Sequence, residues 1–337
     1  MSDTGALLLD MTERLLVEQF DDAAMRAARA GEWPQDAWDA AVAQGLPLAL
    51  VEGEQGFGVP LAEGLALIGL LGRHAVPLPL AETMIGNALL ARAGLPVTEG
   101  VIALVPEGAG ITLEDDTAVG EPDRVAWGRN AAALLVEDGG QVGLVTSGFR
   151  TLGQGSNLAE MPRDRMAIEG PAQIALLPGT SLLEAGALVR ALAMAGAMQT
   201  LVALTVAHVT ERVQFGRALS NFQAVQHSLA RLASEAAAAS AAADLAAEAF
   251  AGASPQTTVA IAAARTRISE AAGIAIGIAH QLHGAIGFTE EHRLHWFTTA
   301  LWSWRDEFGS AAHWTRRLGQ AALAHDKAGY WPFITSV

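Results

Sequence analysis

The sequence has no cysteine and a single lysine, Lys327, and aromatic residues make up only 6% of its 337 positions. The absence of cysteine excludes disulfides, thiolate zinc sites, iron–sulfur clusters and cysteine nucleophiles. The shortage of lysine excludes a Walker-type phosphate loop and leaves no suitable Schiff-base lysine. Because aromatic residues are scarce, aliphatic residues and alanine must fill the core, and a hydrophobic content of 51% is sufficient for this.

Positive charge is also scarce, since 36 acidic residues face 21 basic ones and the formal net charge is −15. A surface this acidic argues against nucleic acid and against anionic membranes as partners. The whole excess of negative charge lies in residues 1–180, whereas residues 181–337 are neutral. We therefore expect an anionic ligand to bind in the C-terminal part of the chain.

The first ten residues contain acids and no basic segment, so no signal peptide is predicted. The most apolar long stretch, Ala187 to Val209, is interrupted by polar side chains. We therefore expect no membrane insertion and a cytoplasmic protein.

Proline and short apolar runs predict three domains. Residues 1–96 are expected to form an N-terminal helical domain. Residues 97–179 contain short apolar runs separated by turn residues, which indicate a middle β domain, an antiparallel barrel or sandwich. Between Ser181 and Trp331 the only proline is Pro255, so residues 180–337 are predicted to form a C-terminal four-helix bundle. The fold class is therefore mainly α with a small central β domain.

Local signals predict where turns and helices begin. Asp138-Gly139-Gly140 indicates a hairpin, and Gly170-Pro171 indicates a second turn between two strands. Four residues are expected to cap the helices of the bundle. They are Ser181, Ser220, Ser254 and Thr289.

Residues 212–227, here called the arginine motif, lie at the junction of two predicted helices. Arg212 and Arg217 flank a glycine turn, and several amide side chains follow beside a helix N-terminus. Guanidinium groups and free helix N–H groups together can bind a diphosphate. An ordinary solvated helix–helix turn is the alternative.

Residues 281–292, here called the glycine motif, end one helix and begin another. The close glycines would let the backbone approach a ligand. The pairs His280/His283 and His292/His295 could bind a metal ion, but no third ligand follows at a suitable spacing, so no metal is predicted.

Two adjacent carboxylates, Asp306 and Glu307, precede Gly309 near several tryptophans. A carboxylate in an apolar aromatic pocket has its pKa raised toward that of a general base. The alternative is a charged helix end.

The stretch Arg-x-Gln-Phe-Gly-Arg-x-Leu-x-x-Phe-Gln-x-x-Gln-His and the later Gln-x-His-Gly-x-Ile-Gly-Phe-Thr-x-Glu-His resemble the acyl-CoA dehydrogenase family. The order of helical, β and helical-bundle segments is similar as well. The resemblance implies α,β-desaturation of an acyl-CoA thioester, with a carboxylate removing the α proton and FAD accepting the β hydride. It also implies electron-transfer flavoprotein as the electron acceptor and a flavin site shared between subunits.

The resemblance implies roles for individual residues. In the arginine motif Arg212 would meet the FAD pyrophosphate, and four neighbours would line that half of the site: Gln214, Phe215, Phe222 and Gln223. In the glycine motif four residues would meet the pyrophosphate or the adenosine: Gln281, His283, Gly284 and Ala285.

This sequence departs from the family in three respects. It has no Thr-Glu-Pro-x-x-Gly-Ser-like loop or Trp-Ile-Thr-like strand to hold the isoalloxazine ring. Counted from Gln281, the family's base position falls on Phe308, so Glu307 stands one residue early and Asp306 two. The chain is also some tens of residues shorter than a typical member.

Three hypotheses remain open from the sequence. The chain is the reduced subunit of a heteromeric acyl-CoA dehydrogenase, as found in bacterial sterol and related lipid catabolism, and it grips the ADP half of an FAD held by its partner. Alternatively, it is a self-sufficient homo-oligomer with Glu307 as the base. A third hypothesis is a non-catalytic helical scaffold. Either enzyme form implies a homo- or hetero-tetramer.

Overall fold

The computed structural model describes residues 2–53 and 55–335. The chain forms two compact units, one comprising Met1–Leu67 with Val76–Val189, the other Ile68–Ala75 with Arg190–Val337. The division into three domains at residues 96 and 179 stays a prediction.

The N-terminal part is helical, as predicted. In the first helix Leu8, Leu15 and Leu16 are buried at helical spacing, so one apolar stripe faces the interior. The helices are α1 (Asp3–Gln19), α2 (Asp22–Arg29), α3 (Gln35–Ala43), α4 (Leu61–Gly64), α5 (Ala66–His74) and α6 (Leu80–Arg92).

A curled β-sheet follows, and its core is aliphatic. The strands are β1 (Ile102–Val105), β2 (Ile111–Glu114), β3 (Thr117–Gly120), β4 (Val125–Ala126), β5 (Ala133–Asp138), β6 (Gln141–Val145), β7 (Phe149–Gly153) and β8 (Arg163–Leu176). Their order is β1-β5-β6-β8-β3-β2, and β4 and β7 also pair with β8. The β1–β5 pair is parallel, which the antiparallel prediction missed, whereas the pairs with β8 are antiparallel.

One of the two predicted turns is confirmed. Asp138 pairs with Gln141, and Gly139 and Gly140 between them have φ angles of 57° and 76°, as a two-residue hairpin turn requires. The turn predicted at Gly170-Pro171 is wrong, because β8 runs straight through both residues. Here glycine serves a close approach instead, since a Cβ at Gly170 would lie 2.3 Å from the carbonyl oxygen of Ser147.

The C-terminal part is a bundle of long helices, so the predicted fold class is confirmed. The α8–α9 pair packs through buried alanines, whose small side chains allow the helices to approach closely. The helices are α7 (Leu182–Glu211), α8 (Gln223–Ala251), α9 (Thr257–His283), α10 (Leu294–Trp304), α11 (Ala311–Leu323) and α12 (Tyr330–Thr335). A short hairpin, β9 (Val213–Gln214) and β10 (Arg217–Ala218), lies between α7 and α8.

The predicted helix caps have mixed outcomes. Ser181 caps α7, since its Oγ accepts a hydrogen bond from the Glu184 N–H at 3.2 Å. The Ser254 cap is wrong, because α9 begins at Thr257 with Gln256 at its N-cap position and no side-chain cap; Ser254 Oγ accepts from the Gln256 N–H at 3.1 Å in the turn before the helix. The Ser220 cap is wrong because α8 begins after Phe222 without a side-chain cap. The Thr289 cap is also wrong, because α10 begins only at Leu294.

Two helical segments, Leu182–Glu211 and Thr257–Phe288, are long and apolar enough to cross a membrane, which the sequence prediction did not expect. In the first, 72% of the most apolar window is buried inside the protein, and in the second 39%. Burial of this extent in the first segment is typical of the core helix of a soluble protein.

Candidate functional site

The arginine motif forms an exposed hairpin at the end of α7. The backbone N–H of Arg212 still donates to the carbonyl of His208 at 2.9 Å, after which the chain enters β9. Phe215 and Gly216 form the hairpin tip with φ angles of 53° and 79°. Phe215 is 89% exposed, although it is a large apolar side chain held in a backbone conformation that favours glycine. Such an aromatic side chain is available to a ligand or to another chain.

Stacked side chains fix the hairpin against the start of α8. The guanidinium carbon of Arg217 lies 4.0 Å from the centroid of the Phe222 ring, and the Phe215 ring meets Phe222 edge-on at 6.2 Å. Arg212, Gln214 and Gln223 are exposed around this stack. The structure thus brings the sequence-predicted residues of the arginine motif onto one short, exposed segment.

The glycine motif follows α9. Gly284 has φ 65° and ψ −144°, a combination that side-chain-bearing residues essentially never adopt. Gln281, Gly284 and Ala285 are exposed, and no atom lies within 4 Å of the position that a Cβ of Gly284 would take. The backbone here is therefore open to close approach by a ligand. His283 differs from its neighbours because its side chain is buried.

His283 belongs to a group of three imidazoles, here called the histidine cluster, with His208 and His292. The ring of His208 stacks on His283 with centroids 4.4 Å apart, and His292 meets His283 edge-on at 4.7 Å. One nitrogen of each ring lies within 4.8 Å of the others. His208 lies one helical turn before Arg212, so the cluster joins the arginine motif to the glycine motif.

Burial controls the charge of the cluster. The pKa of His283 is lowered to about 4, mainly by burial and to a smaller extent by the neighbouring rings of His208, His292 and His280, while a hydrogen bond to the Ala279 carbonyl opposes this shift. Burial also lowers the pKa values of His208 and His292. All three rings are therefore neutral at pH 7.

The ring geometry does not suit a shared metal ion. A metal ion lies in the plane of each imidazole that binds it, but the planes of His208 and His283 are stacked at only 19° to one another. The Nδ1 atom of His292 accepts a hydrogen bond from the Leu294 N–H at 3.1 Å, which places its proton on Nε2. The structure supplies the third histidine that the sequence lacked, yet in an arrangement typical of neutral, stacked rings; the absence of a metal stays a prediction.

The candidate base, Glu307, forms a buried ion pair. The Nε atom of Arg190 donates to Oε2 of Glu307 at 2.7 Å, and the two side chains are 4% and 11% exposed. The Arg190 guanidinium also lies 6.0 Å from the Trp304 ring and 5.5 Å from the Phe308 ring. The carboxylate is therefore held in place by a cation inside an aromatic environment.

A second buried arginine shapes the same turn. Arg265 is 1% exposed, and its Nη2 atom lies 3.0–3.1 Å from four carbonyl oxygens, which share its two N–H groups; they are those of Trp304, Arg305, Glu307 and Gly309. Burial, followed by the charge of Arg190, lowers the pKa of Arg265 to about 9. Arg265 thereby binds carbonyls at the C-terminal end of α10 and in the turn that follows it.

Sequence reasoning missed Arg190 and Arg265, because each lies far along the chain from the turn that it holds. Phe308, at the family's base position, has φ 51° and is followed by Gly309 with φ 89°. Asp306 is exposed. The carboxylate predicted in an aromatic pocket is thus present, but it is paired with a cation.

Known proteins resemble this chain both in sequence and in architecture. Residues 179–318 match the family model for the C-terminal domain of acyl-CoA dehydrogenases. Acyl-CoA dehydrogenase IpdE2 of Mycobacterium tuberculosis is 31% identical over 198 residues, which are 57% of this chain and 59% of that protein. The chain therefore spans about three fifths of the length of this relative.

Solved structures share the fold over nearly the whole chain. The Tcur3481–Tcur3483 steroid ACAD has a TM-score of 0.82 at 23% identity, over 94% of this chain and 96% of that one. The ChsE4–ChsE5 complex from Mycobacterium tuberculosis has a TM-score of 0.81 at 18% identity, over 97% and 98%. The fold and the C-terminal domain are those of acyl-CoA dehydrogenases. The match to the family model covers residues 179–318, and the fold of nearly the whole chain is shared with solved acyl-CoA dehydrogenases.

Proposed function

We propose that this chain is the reduced subunit of a heteromeric, FAD-dependent acyl-CoA dehydrogenase. The observation that carries the proposal is the ion pair of Glu307 with Arg190, buried on both sides. A general base must reach the substrate, whereas this carboxylate is engaged by a guanidinium at 2.7 Å. Phe308, at the family's base position, has no acidic group. The reaction would therefore use the base of a complete partner subunit.

The exposed parts of the two motifs fit the ADP half of FAD. A diphosphate needs cationic donors, exposed N–H groups and room for close approach. Arg212 supplies an exposed guanidinium, and Gly284 an open backbone. The other residues assigned to this role are Gln214, Phe215, Phe222, Gln223, Gln281, His283 and Ala285. When bound, FAD supplies the acceptor for the hydride that leaves the β carbon of the acyl-CoA.

The protein's own residues would then hold and orient the cofactor, while the isoalloxazine ring lies with the partner. The names of two structural neighbours, Tcur3481–Tcur3483 and ChsE4–ChsE5, each join two different chains, which supports a heteromeric assembly. The steroid named for the first supports an acyl-CoA of lipid or sterol catabolism as the substrate class. Electron-transfer flavoprotein would accept the electrons, and a tetramer is the expected assembly.

Co-purification with a full-length family member tests the proposal. We expect the isolated chain to be colourless and inactive, and the co-expressed pair to bind flavin and oxidise acyl-CoA with an electron-transfer flavoprotein or a dye as acceptor. Flavin counting should give one FAD for each site that pairs this chain with its partner. Absorbance between 350 and 500 nm and steady-state turnover are the measurements.

Two other outcomes would each support one of the two remaining hypotheses instead. A yellow, active homo-oligomer of this chain alone would overturn the proposal in favour of a self-sufficient dehydrogenase with Glu307 as base. A co-purified pair whose flavin content does not respond to Arg212→Ala would favour a non-catalytic scaffold.

A further inference from the structure

The histidine cluster joins three separate segments of the C-terminal unit: the end of α7, the end of α9 and the turn before α10. We propose that the cluster is a proton-operated latch, closed while its three imidazoles are neutral and opened by protonation. Opening would release the turn Gly284–Phe288 from the end of α7. The role of this movement in cofactor binding rests on the proposed function.

Hydrogen bonds define the closed state. The Nδ1 atom of His283 lies 2.8 Å from the carbonyl oxygen of Ala279 and must therefore donate its proton there. Its Nε2 atom then carries a lone pair, and this atom is buried without a hydrogen-bond partner among the described residues. This tautomer thus leaves His283 with no unpaired buried donor, and the face of its ring stacks on His208.

A proton added at Nε2 of His283 would disrupt this arrangement for two reasons. The new N–H group would be a buried donor without an acceptor, which is costly. The resulting charge would also lie among rings that carry no negative charge.

The surrounding charges do not compensate for the proton. From α7, the cluster meets the guanidinium of Arg212 and the carboxylate of Glu211 through His208. From α9, His280 faces His283, and from α10, His295 faces His292. Among these groups of the described residues, one acid is set against one fixed cation and five imidazoles, so protonation builds up repulsion.

The glycine motif is the segment that can respond. Gly284 has a backbone conformation accessible to glycine alone, Phe288 is 73% exposed, and the turn packs against histidine rings and Leu294. His280 stacks on Phe288 at 4.4 Å, and Gly287 packs against His283 and His280. Loss of the His208–His283 stack would therefore free residues 284–293 while α9 stays intact.

Amide hydrogen exchange on the full-length chain, without flavin or partner, tests the latch. With a pKa of about 4 for His283 in the closed form and 6.5 in the open form, linkage gives about 30-fold more open form at pH 5.0 than at pH 7.5. After correction for intrinsic rates, we expect exchange of residues 284–293 to accelerate by about that factor. The rest of α9 should change much less.

Matched variants make the test specific. His283→Phe keeps an aromatic ring but cannot be protonated, so its acceleration at pH 5.0 should fall to the smaller part contributed by His208 and His292, whereas His325→Gln, an exposed histidine elsewhere, should behave as wild type. Equal acceleration in His283→Phe and wild type, or none in wild type, would overturn the latch.

A second measurement covers the case in which His283→Phe does not fold. NMR titration of the wild-type rings should show His283 titrating near pH 4, together with the opening, and titration near pH 6.5 without opening would overturn the proposal. Flavin content of the co-purified pair at pH 7.5 tests the proposed function separately, since the latch is closed there.

Discussion

The Nε atom of Arg190 in the helix α7 lies 2.7 Å from the Glu307 carboxylate at the end of α10, and both side chains are almost fully buried. A buried ion pair contributes little net stability, but removing one partner leaves an uncompensated charge. This asymmetry allows a structural carboxylate to be distinguished from a catalytic one. Mutation of a structural carboxylate lowers the stability of the chain, whereas mutation of a catalytic one lowers the turnover.

We predict that Glu307→Gln lowers the stability of the chain and leaves the turnover of the assembled enzyme nearly unchanged. Removing the carboxylate charge beside Arg190 should lower the free energy of unfolding by about 3 kcal/mol, the size typical of a broken buried pair. Urea unfolding gives the free energy, and kcat per flavin in the co-purified complex gives the activity.

Asp306→Asn is the matched control, since Asp306 is the exposed neighbour and its change should stay within about 0.5 kcal/mol. A loss of turnover of 1,000-fold or more in Glu307→Gln, with stability and flavin content retained, would assign the base to Glu307 instead.

We predict that Arg265→Met lowers the stability of the chain more than the replacement of an ordinary arginine on a helix would. It removes the donor shared by four carbonyls around the Glu307 turn and should cost at least about 3 kcal/mol. Arg267→Met, two residues on, breaks a part-exposed pair with Glu235 and should cost less than about 1 kcal/mol. Similar losses in the two variants, measured by thermal unfolding, would contradict the structural role of Arg265.

Arg212→Ala should weaken flavin binding in the co-purified complex without unfolding it, because Arg212 is exposed. A charge-assisted hydrogen bond to phosphate is worth about 1.5–3 kcal/mol, which corresponds to a roughly 10- to 150-fold higher Kd for FAD. Arg231→Ala changes another exposed arginine on α8 and should leave the Kd unaltered. Fluorescence titration of the apo complex with FAD measures both, and equal Kd values would argue against the assigned contact.

Stability should fall as the pH drops from 6.5 toward 4. Burial lowers the pKa of His283 from 6.5 to about 4 in the folded chain, so the unfolded chain binds more protons over this interval. The free energy of unfolding therefore rises with pH over this interval. Conversely, it should decrease by about 1–2 kcal/mol when the pH is lowered from 7.5 to 5.0. In urea titrations His283→Phe should show a decline smaller by that amount, and an identical decline would contradict the prediction.

Local signals predicted the parts of the fold that depend on neighbouring residues. The Asp138-Gly139-Gly140 hairpin forms because two adjacent glycines take left-handed backbone angles, and this is visible in the sequence. Gly170-Pro171 carries an equally plain turn signal, yet β8 continues because Pro171 lies opposite Thr117 and Gly170 admits the backbone of Ser147. Tertiary pairing decided that case, and no local pattern reports it.

The candidate site shows the same division. The residues of the two motifs are contiguous and could be assigned from spacing and resemblance. The partner of Glu307 could not, since Arg190 precedes it by 117 residues and looks like an ordinary arginine on a helix. His208 likewise joins His283 and His292 only after α7 and α9 have packed, so the metal-pair argument from spacing considered the wrong combinations.

The exposed aromatic side chains of Phe215 and Phe288 have a consequence for how such a protein is produced. Without the partner and flavin that would cover them, these side chains form exposed apolar patches of the kind that drive aggregation. If the two subunits are made in unequal amounts, the surplus of this one should precipitate or be degraded. Its yield in soluble form should therefore follow the amount of partner synthesised beside it, and so should the amount of working enzyme in the cell.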